Sequence, residues 1–322
     1  MIFLEHIDLK KKSIKPKKEK RKPLLVFLLL MENKPLIALT ISVISVSFAA
    51  ILIVSCSAPP LSISFYRLFF TTLLLLPIFF FFFYCFFSFF LLPPKSLFFM
   101  AFIGFILAIH FSLWITSLKL TSVSSSVILV TAHPILVGPL SYYLLNEPLS
   151  RRNISGIFLS FTGVIILVYG NYGFSLNSTD SLQGNLLAFF GGIAAGLYIL
   201  GGRFLRKNIS VITYAFVVYA VGSIVLFFIT LISNSPFIGL SLRDLGIIAL
   251  MAVISGIFGH TLYNWSLAHL RASVASVALL GEPIASSVFA LIIPWIQQVP
   301  SIFTVIGGAI ILSGIYLTVQ KK

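Results

Sequence analysis

Negative charge is scarce in this chain. Asp and Glu number 8 in 322 residues against 22 Lys and Arg, and charged residues together make up 9%. A soluble globular domain carries about 25%. That deficit excludes an ordinary water-soluble fold, and a mean hydropathy of +1.09 makes the chain an integral membrane protein. Cysteine is nearly missing as well. Cys56 and Cys85 fall in or beside apolar segments without metal-ligand spacing, which excludes a disulfide framework and a zinc site. No H-E-x-x-H, G-x-S-x-G or Walker sequence occurs, and His110, His133, His260 and His269 show no ligand spacing. Metalloprotease chemistry, a nucleophile elbow and ATP hydrolysis are excluded with them, and no cofactor is expected. Intramembrane aspartyl chemistry needs two neighbouring carboxylates, and Glu282 is the one acidic residue inside an apolar segment.

The net charge of +14 does not mark a nucleic-acid partner, because much of it sits in KKKSIKPKKEKRK, residues 10–22, with no aromatic interleaved. That stretch reads as a disordered basic arm beside an anionic membrane face. The apolar run LLVFLLLM (24–31) is too short for a bilayer, which takes about 20 residues. MENKPLIALTISV then makes an ordinary membrane-protein start, so Met31 is the expected initiation point and residues 1–30 an extension. The alternatives are a genuine basic tail with a hydrophobic dock, or an uncleaved signal-like segment, since no small-residue cleavage site follows. The run IFFFFFYCFFSFF (78–90) is assigned no function.

Apolar segments bounded by short polar or Pro/Gly punctuation fall at about 36–55, 62–84, 97–117, 123–145, 153–170, 184–203, 211–232, 244–267, 273–295 and 301–319. Loop cations orient them. With the N-terminus inside, every Lys and Arg except Arg67, Lys119 and Arg243 lies on the inner side, so both termini are expected in the cytoplasm. The halves also match. Leu113, Ser117, Leu118, Ser124, Pro134 and Ile135 coincide with Leu262, Ser266, Leu267, Ser273, Pro283 and Ile284, an offset of 149; Gly156 and Gly163 fall on Gly307 and Gly314, an offset of 151. The expected fold is an all-α integral membrane protein of ten transmembrane helices arranged as two inverted five-helix repeats. Its parts are a basic tail (1–34), a first repeat (35–170), an external linker (171–183) and a second repeat (184–320). An odd number of spans per copy turns the second copy upside down. Such inverted repeats are a signature of secondary transporters, with the substrate site near the midplane on interrupted helices.

The stretches ISFYR (63–67), WITSLKLTSVSSSVILVTAHPILVG (114–138), LLNEPLSRRNISGIFLSFTGVIIL (144–167), GNLLAFFGGIAAGLY (184–198) and SLAHLRASVASVALLGEPIASSVFA (266–290) carry a family likeness. On them the chain resembles the drug/metabolite transporter superfamily, specifically its ten-helix exporters with two EamA-type domains, over residues 36–319. The resemblance implies a central cavity surrounded by helices of both repeats and movement of small polar metabolites, usually outward, across the cell membrane. Pro134 and Pro283 match positions where the family bends its fourth and ninth helices. Two departures stand out: Glu147 of LLNEPLS has Gln298 as its counterpart, and His133 replaces a small or neutral polar residue.

Glu282 leads the site candidates, as a proton-titrating or amine-binding group; a carboxylate facing lipid costs on the order of 3 kcal/mol, so it should point inward. The alternative is a structural carboxylate at a helix kink. His133 either pairs with it across the axis as a proton-sensitive couple or is a histidine satisfied by a neighbouring carbonyl. His110 with Trp114, and His260 with Asn264, are each spaced i, i+4 and share a face, either as cavity wall or as packing. Tyr198 and Tyr263 are further lining candidates. Arg67 either binds a substrate carboxylate with its planar fork or snorkels to the outer interface, the plainer account. Gly192 and Gly196 form a GxxxG for close helix packing. The expected partners are a small-molecule substrate and the lipid bilayer, with a homodimer left open. A sugar-phosphate or nucleotide-sugar carrier is the runner-up, although it would want several inward cations.

Overall fold

The computed structural model describes residues 21–81, 87, 89–121, 126, 129–172, 182–292 and 301–319. The basic arm up to residue 20, residues 173–181 of the linker, Cys85, Ser124 and Gln298 lie outside them. The chain forms two units, Met1–Lys34 and Pro35–Lys322; within the first, residues 21–34 are helical. The helices are α1 (Arg21–Val54), α2 (Pro60–Phe81), α3 (Pro94–Leu120), α4 (His133–Leu145), α5 (Arg151–Tyr172), α6 (Leu182–Arg206) and α7 (Val211–Ile232). After them come α8 (Leu242–Met251), a π-helix (Ala252–Thr261), α9 (Leu262–Leu267), α10 (Ala272–Ala278), a 3-10 turn (Leu279–Gly281), α11 (Glu282–Ile292) and α12 (Ile302–Val319). No strand occurs among the described residues.

Six stretches among the described residues are long and apolar enough to cross a membrane: Lys34–Ile53, α2, α3, α6, α7 and the continuous Leu242–Leu267. Leu129–Leu145, Ala272–Ala285 and Val305–Val319 are apolar but shorter. These helices are apolar all round, as a bilayer requires. On α2, Leu68 and Leu75 are buried while Leu73, Leu74 and Leu76 are exposed. Hydroxyl side chains avoid being stranded by donating to carbonyls one turn back, as Thr71 does to Arg67 (2.8 Å) and Ser223 to Tyr219 (2.8 Å).

Small residues set the closest approaches. A Cβ on Gly192 would lie 2.8 Å from the Leu129 carbonyl oxygen, and one on Gly196 3.1 Å from Leu136, so α6 lies directly on the start of the α4 segment. Between α5 and α12, Gly156 faces the Gly314 carbonyl (2.6 Å from a built Cβ) and Gly163 faces that of Gly307 (2.7 Å). The sequence match equates 156 with 307 and 163 with 314. Each glycine therefore meets the partner of the other, which is the self-complementary contact that a two-fold axis generates between antiparallel helices.

Each proline noted above stands in the first turn of a new helix, after a break. Ala132 (φ −68°, ψ −6°) ends one helical piece and α4 restarts at His133-Pro134; the 3-10 turn ends at Gly281 and α11 restarts at Glu282-Pro283. The missing proline N–H is harmless there, because first-turn donors have no intrahelical acceptor.

Candidate functional site

Arg67 sits on α2 about two turns from its start, and its side chain turns into the bundle. It is 2% exposed, so the snorkelling expectation is overturned. The edge position beside it is taken by Tyr66, whose hydroxyl donates to the Phe237 carbonyl at 2.6 Å. The guanidinium lies over the Phe111 ring, 4.6 Å from its centroid, a geometry in which the ring's negative face offsets part of the lost hydration. Its Nη1 has no hydrogen-bond partner among the described residues. Glu282 is the acidic group acting on this charge. It is partly buried and heads α11.

Beside Arg67 the polar aromatics interlock. Phe111 meets the His260 ring edge-on (5.3 Å, 88°), and His260 meets Tyr198 (6.3 Å, 70°). His110 stacks on Trp114 (5.9 Å, 6°). Its Nδ1 lies 2.9 Å from the Gly191 carbonyl, which can only accept, so in the neutral ring Nδ1 carries the proton and Nε2 is the acceptor. Asn264 is fully buried; its amide donates to the hydroxyls of Tyr198 (2.6 Å) and Tyr219 (3.1 Å). Its backbone carbonyl accepts from Arg206 Nε at 3.0 Å.

His260 and Thr261 belong to the π-helix. The wider turn lets the Thr261 hydroxyl donate to the Gly256 carbonyl, five residues back, at 3.0 Å, and π segments recur where function needs a side chain re-aimed. The same stretch is bound to α1 through Ser42 to the Gly259 carbonyl (2.9 Å) and Ser255 to that of Ser45 (3.1 Å).

His110, Trp114, His260, Asn264, Tyr198 and Arg67 thus fall in one connected region. No contact between His133 and Glu282 occurs among the described residues; His133 Nδ1 lies 2.9 Å from the Ser276 hydroxyl. Tyr263 is buried, and its hydroxyl has no partner among the described residues. Trp114 Nε1, Ser273 Oγ and Asn264 Oδ1 are also buried without partners among the described residues. An unmet buried polar atom costs about 1–3 kcal/mol, and of these atoms Trp114 Nε1 and Asn264 Oδ1 belong to side chains of the connected region around Arg67. Sequence reasoning passed over Phe111, Tyr219 and Ser276. Neither Tyr219, one of several hydroxyl side chains in its segment, nor Phe111, one of 33 phenylalanines, stood out in the sequence. No group of three His, Cys, Asp or Glu able to hold a metal occurs among the described residues.

Two further clusters join distant parts of the chain at opposite ends of the helices. At one end Glu147 meets Arg203 and the start of α10. At the other, Asp244 accepts from the Ser57 backbone at 2.8 Å and Ser62 donates to the Pro236 carbonyl at 2.7 Å.

The model of the EamA-like transporter family matches the chain twice, over residues 33–169 and 182–320. The uncharacterized transporter YyaM of Bacillus subtilis is 26% identical over 211 residues, covering 63% of this chain and 67% of its own. An uncharacterized transporter of Archaeoglobus fulgidus is 28% identical over 202 residues, covering 61% and 67%. One solved crystal structure superposes with a TM-score of 0.73 at 15% identity, over 89% of this chain and 96% of that one, a likeness of fold alone.

Proposed function

Since the chain belongs to the EamA-like transporter family, we propose that it exports a small polar metabolite, an amino acid or related zwitterion, across the cytoplasmic membrane. The observation that carries the substrate class is Arg67: a buried guanidinium laid on Phe111 with an Nη1 that has no partner among the described residues. A substrate carboxylate supplies the acceptors that Arg67 and Trp114 Nε1 want. A substrate ammonium is matched by Glu282, with the unpartnered Asn264 Oδ1 as a second acceptor. The aromatic rings nearby exclude water and strengthen both contacts.

Transport proceeds by alternating access, the two five-helix halves rocking about this site. The double family match and the antiparallel glycine contacts of α5 with α12 support two inverted halves. Arg151, Arg152, Arg203, Arg206, Lys207 and Arg271 cluster at the same helix ends, which by loop charge are cytoplasmic; both termini then lie on that side. Glu282 couples transport to protons, with His133 as the second titratable group.

The test is efflux of labelled amino acids, cationic dyes and phosphorylated metabolites at two external pH values, comparing the unsubstituted protein with Glu282→Gln and His133→Ala. Amino-acid efflux that is lost or made pH-independent in Glu282→Gln is the expected result. If both variants keep full transport and its pH dependence, proton coupling through these two groups is wrong. Efflux of phosphorylated compounds alone would replace the zwitterion with a sugar-phosphate or nucleotide-sugar cargo.

A further inference from the structure

Glu147 stands in the short connection between α4 and α5, far from Arg67 along the helices. Its position is fixed locally. Asn146 takes the left-handed conformation (φ 53°), the Glu147 N–H bonds the Ser141 carbonyl at 3.1 Å, and Pro148 follows. Although next to a loop, the side chain is buried at 6% exposure. Oε1 accepts from Arg203 Nε at 2.6 Å and Oε2 from the Ala272 N–H at 2.9 Å. Arg203 Nη1 continues to the carbonyls of Leu267 (2.8 Å) and Ala268 (2.9 Å), and Arg271 donates to the Pro148 carbonyl at 3.1 Å. One carboxylate and one guanidinium therefore tie together the α4–α5 loop, the end of α6, the end of α9 and the start of α10. The anion caps a helix start and the cation a helix end, each on the side the peptide dipoles favour.

Arg203, Leu267, Ala268 and Ala272 fall in the second family match and Glu147 in the first. The opposite end has no equivalent ion pair among the contacts above: there Asp244, Ser62 and Tyr66 use backbone groups. The sequence counterpart of Glu147 is neutral Gln298. We propose that Glu147 and Arg203 are the bolt of the cation-rich mouth, made when that mouth is shut and broken when it opens. This rests on the alternating-access reading. A buried ion pair suits a two-state part. Separating it without water leaves two stranded charges, whereas separating it in a flooded mouth rehydrates both. Half-open positions are disfavoured, and the mouth snaps between closed and open.

The test reads conformation without substrate, so its failure is distinct from a failure to identify the cargo. In full-length protein with Cys56 and Cys85 changed to serine, Ser273→Cys reports access from the cation-rich side to an impermeant thiol reagent. Adding Glu147→Gln should raise its labelling rate by about tenfold, the ratio that corresponds to losing one charge-assisted hydrogen bond. An unchanged rate overturns the proposal. Should Glu147→Gln fail to fold, Arg203→Lys, which keeps the charge but gives up the Nη1 bonds to the Leu267 and Ala268 carbonyls, is read in the same labelling assay: faster labelling supports the bolt and an unchanged rate overturns it.

Discussion

Arg67 and Lys are not interchangeable at this place. The planar guanidinium both stacks on Phe111 and presents a fork toward its neighbours, and an ammonium does neither as well. Arg67→Lys is expected to weaken apparent substrate affinity by about tenfold and Arg67→Gln by about a hundredfold, the range of one to two charge-assisted contacts. Uptake by reconstituted vesicles across substrate concentrations measures it; equal affinities in all three proteins would remove Arg67 from the site. Cys56, between α1 and α2, gives a second residue-scale expectation. Burial, aided by the neighbouring Asp244 carboxylate, pushes its thiol up to about 11. The thiolate is the reactive form, so maleimide labelling of Cys56 in a Cys85→Ser protein should rise about tenfold per pH unit from 7 to 9. Levelling near 8.5, the ordinary thiol value, would show that Cys56 is hydrated.

At the scale of elements, hydropathy located the helices but not their internal geometry. The segment 244–267 reads as one uninterrupted span because apolarity is blind to whether a carbonyl bonds four or five residues ahead. The π-helix depends on close contacts that appear only in three dimensions. A Cβ at Gly256 would strike Thr71 of α2, one turn from Arg67, while one at Gly246 meets nothing within 4 Å. Gly256→Ala should therefore destabilise the protein by about 1–3 kcal/mol through overpacking, lowering its melting temperature in detergent. Gly246→Ala should leave it unchanged or slightly raise it. The breaks at Pro134 and Pro283 were signalled by the residues themselves, since proline withholds a ladder donor, although Pro35, Pro77 and Pro139 lie inside unbroken helices. The partners of Glu282 and His133 were not. Symmetry-related positions suggested that they face one another, yet the side chains on α2 and α10 decide which charge meets which.

For the whole molecule, the loop cations predict a single arrangement in the bilayer. Periplasm-dependent phosphatase fusions after Asn234 should be active and those after Lys207 inactive; the reverse pattern would invert the protein and put the Glu147 bolt on the outside. Composition alone announced a membrane protein, and the internal match announced two halves, because duplication leaves its mark in the order of residues. The meeting of those halves left a fainter trace: Gly156, Gly163, Gly307 and Gly314 repeat in register, but nothing in their spacing says that they touch.

The charge on Arg67 also sets a problem in time. Synthesis at roughly 5–20 residues per second places α11 in the ribosome tens of seconds after α2, so the arginine enters the membrane long before Glu282 exists. An unpaired arginine within a span costs about 2.5–3.5 kcal/mol on the insertion scale, enough to let α2 slip back toward water. Phe111 of α3 arrives far earlier than Glu282 and gives the guanidinium a face to rest on. The ring's negative face is therefore the partner available to the guanidinium while the second half is still being made.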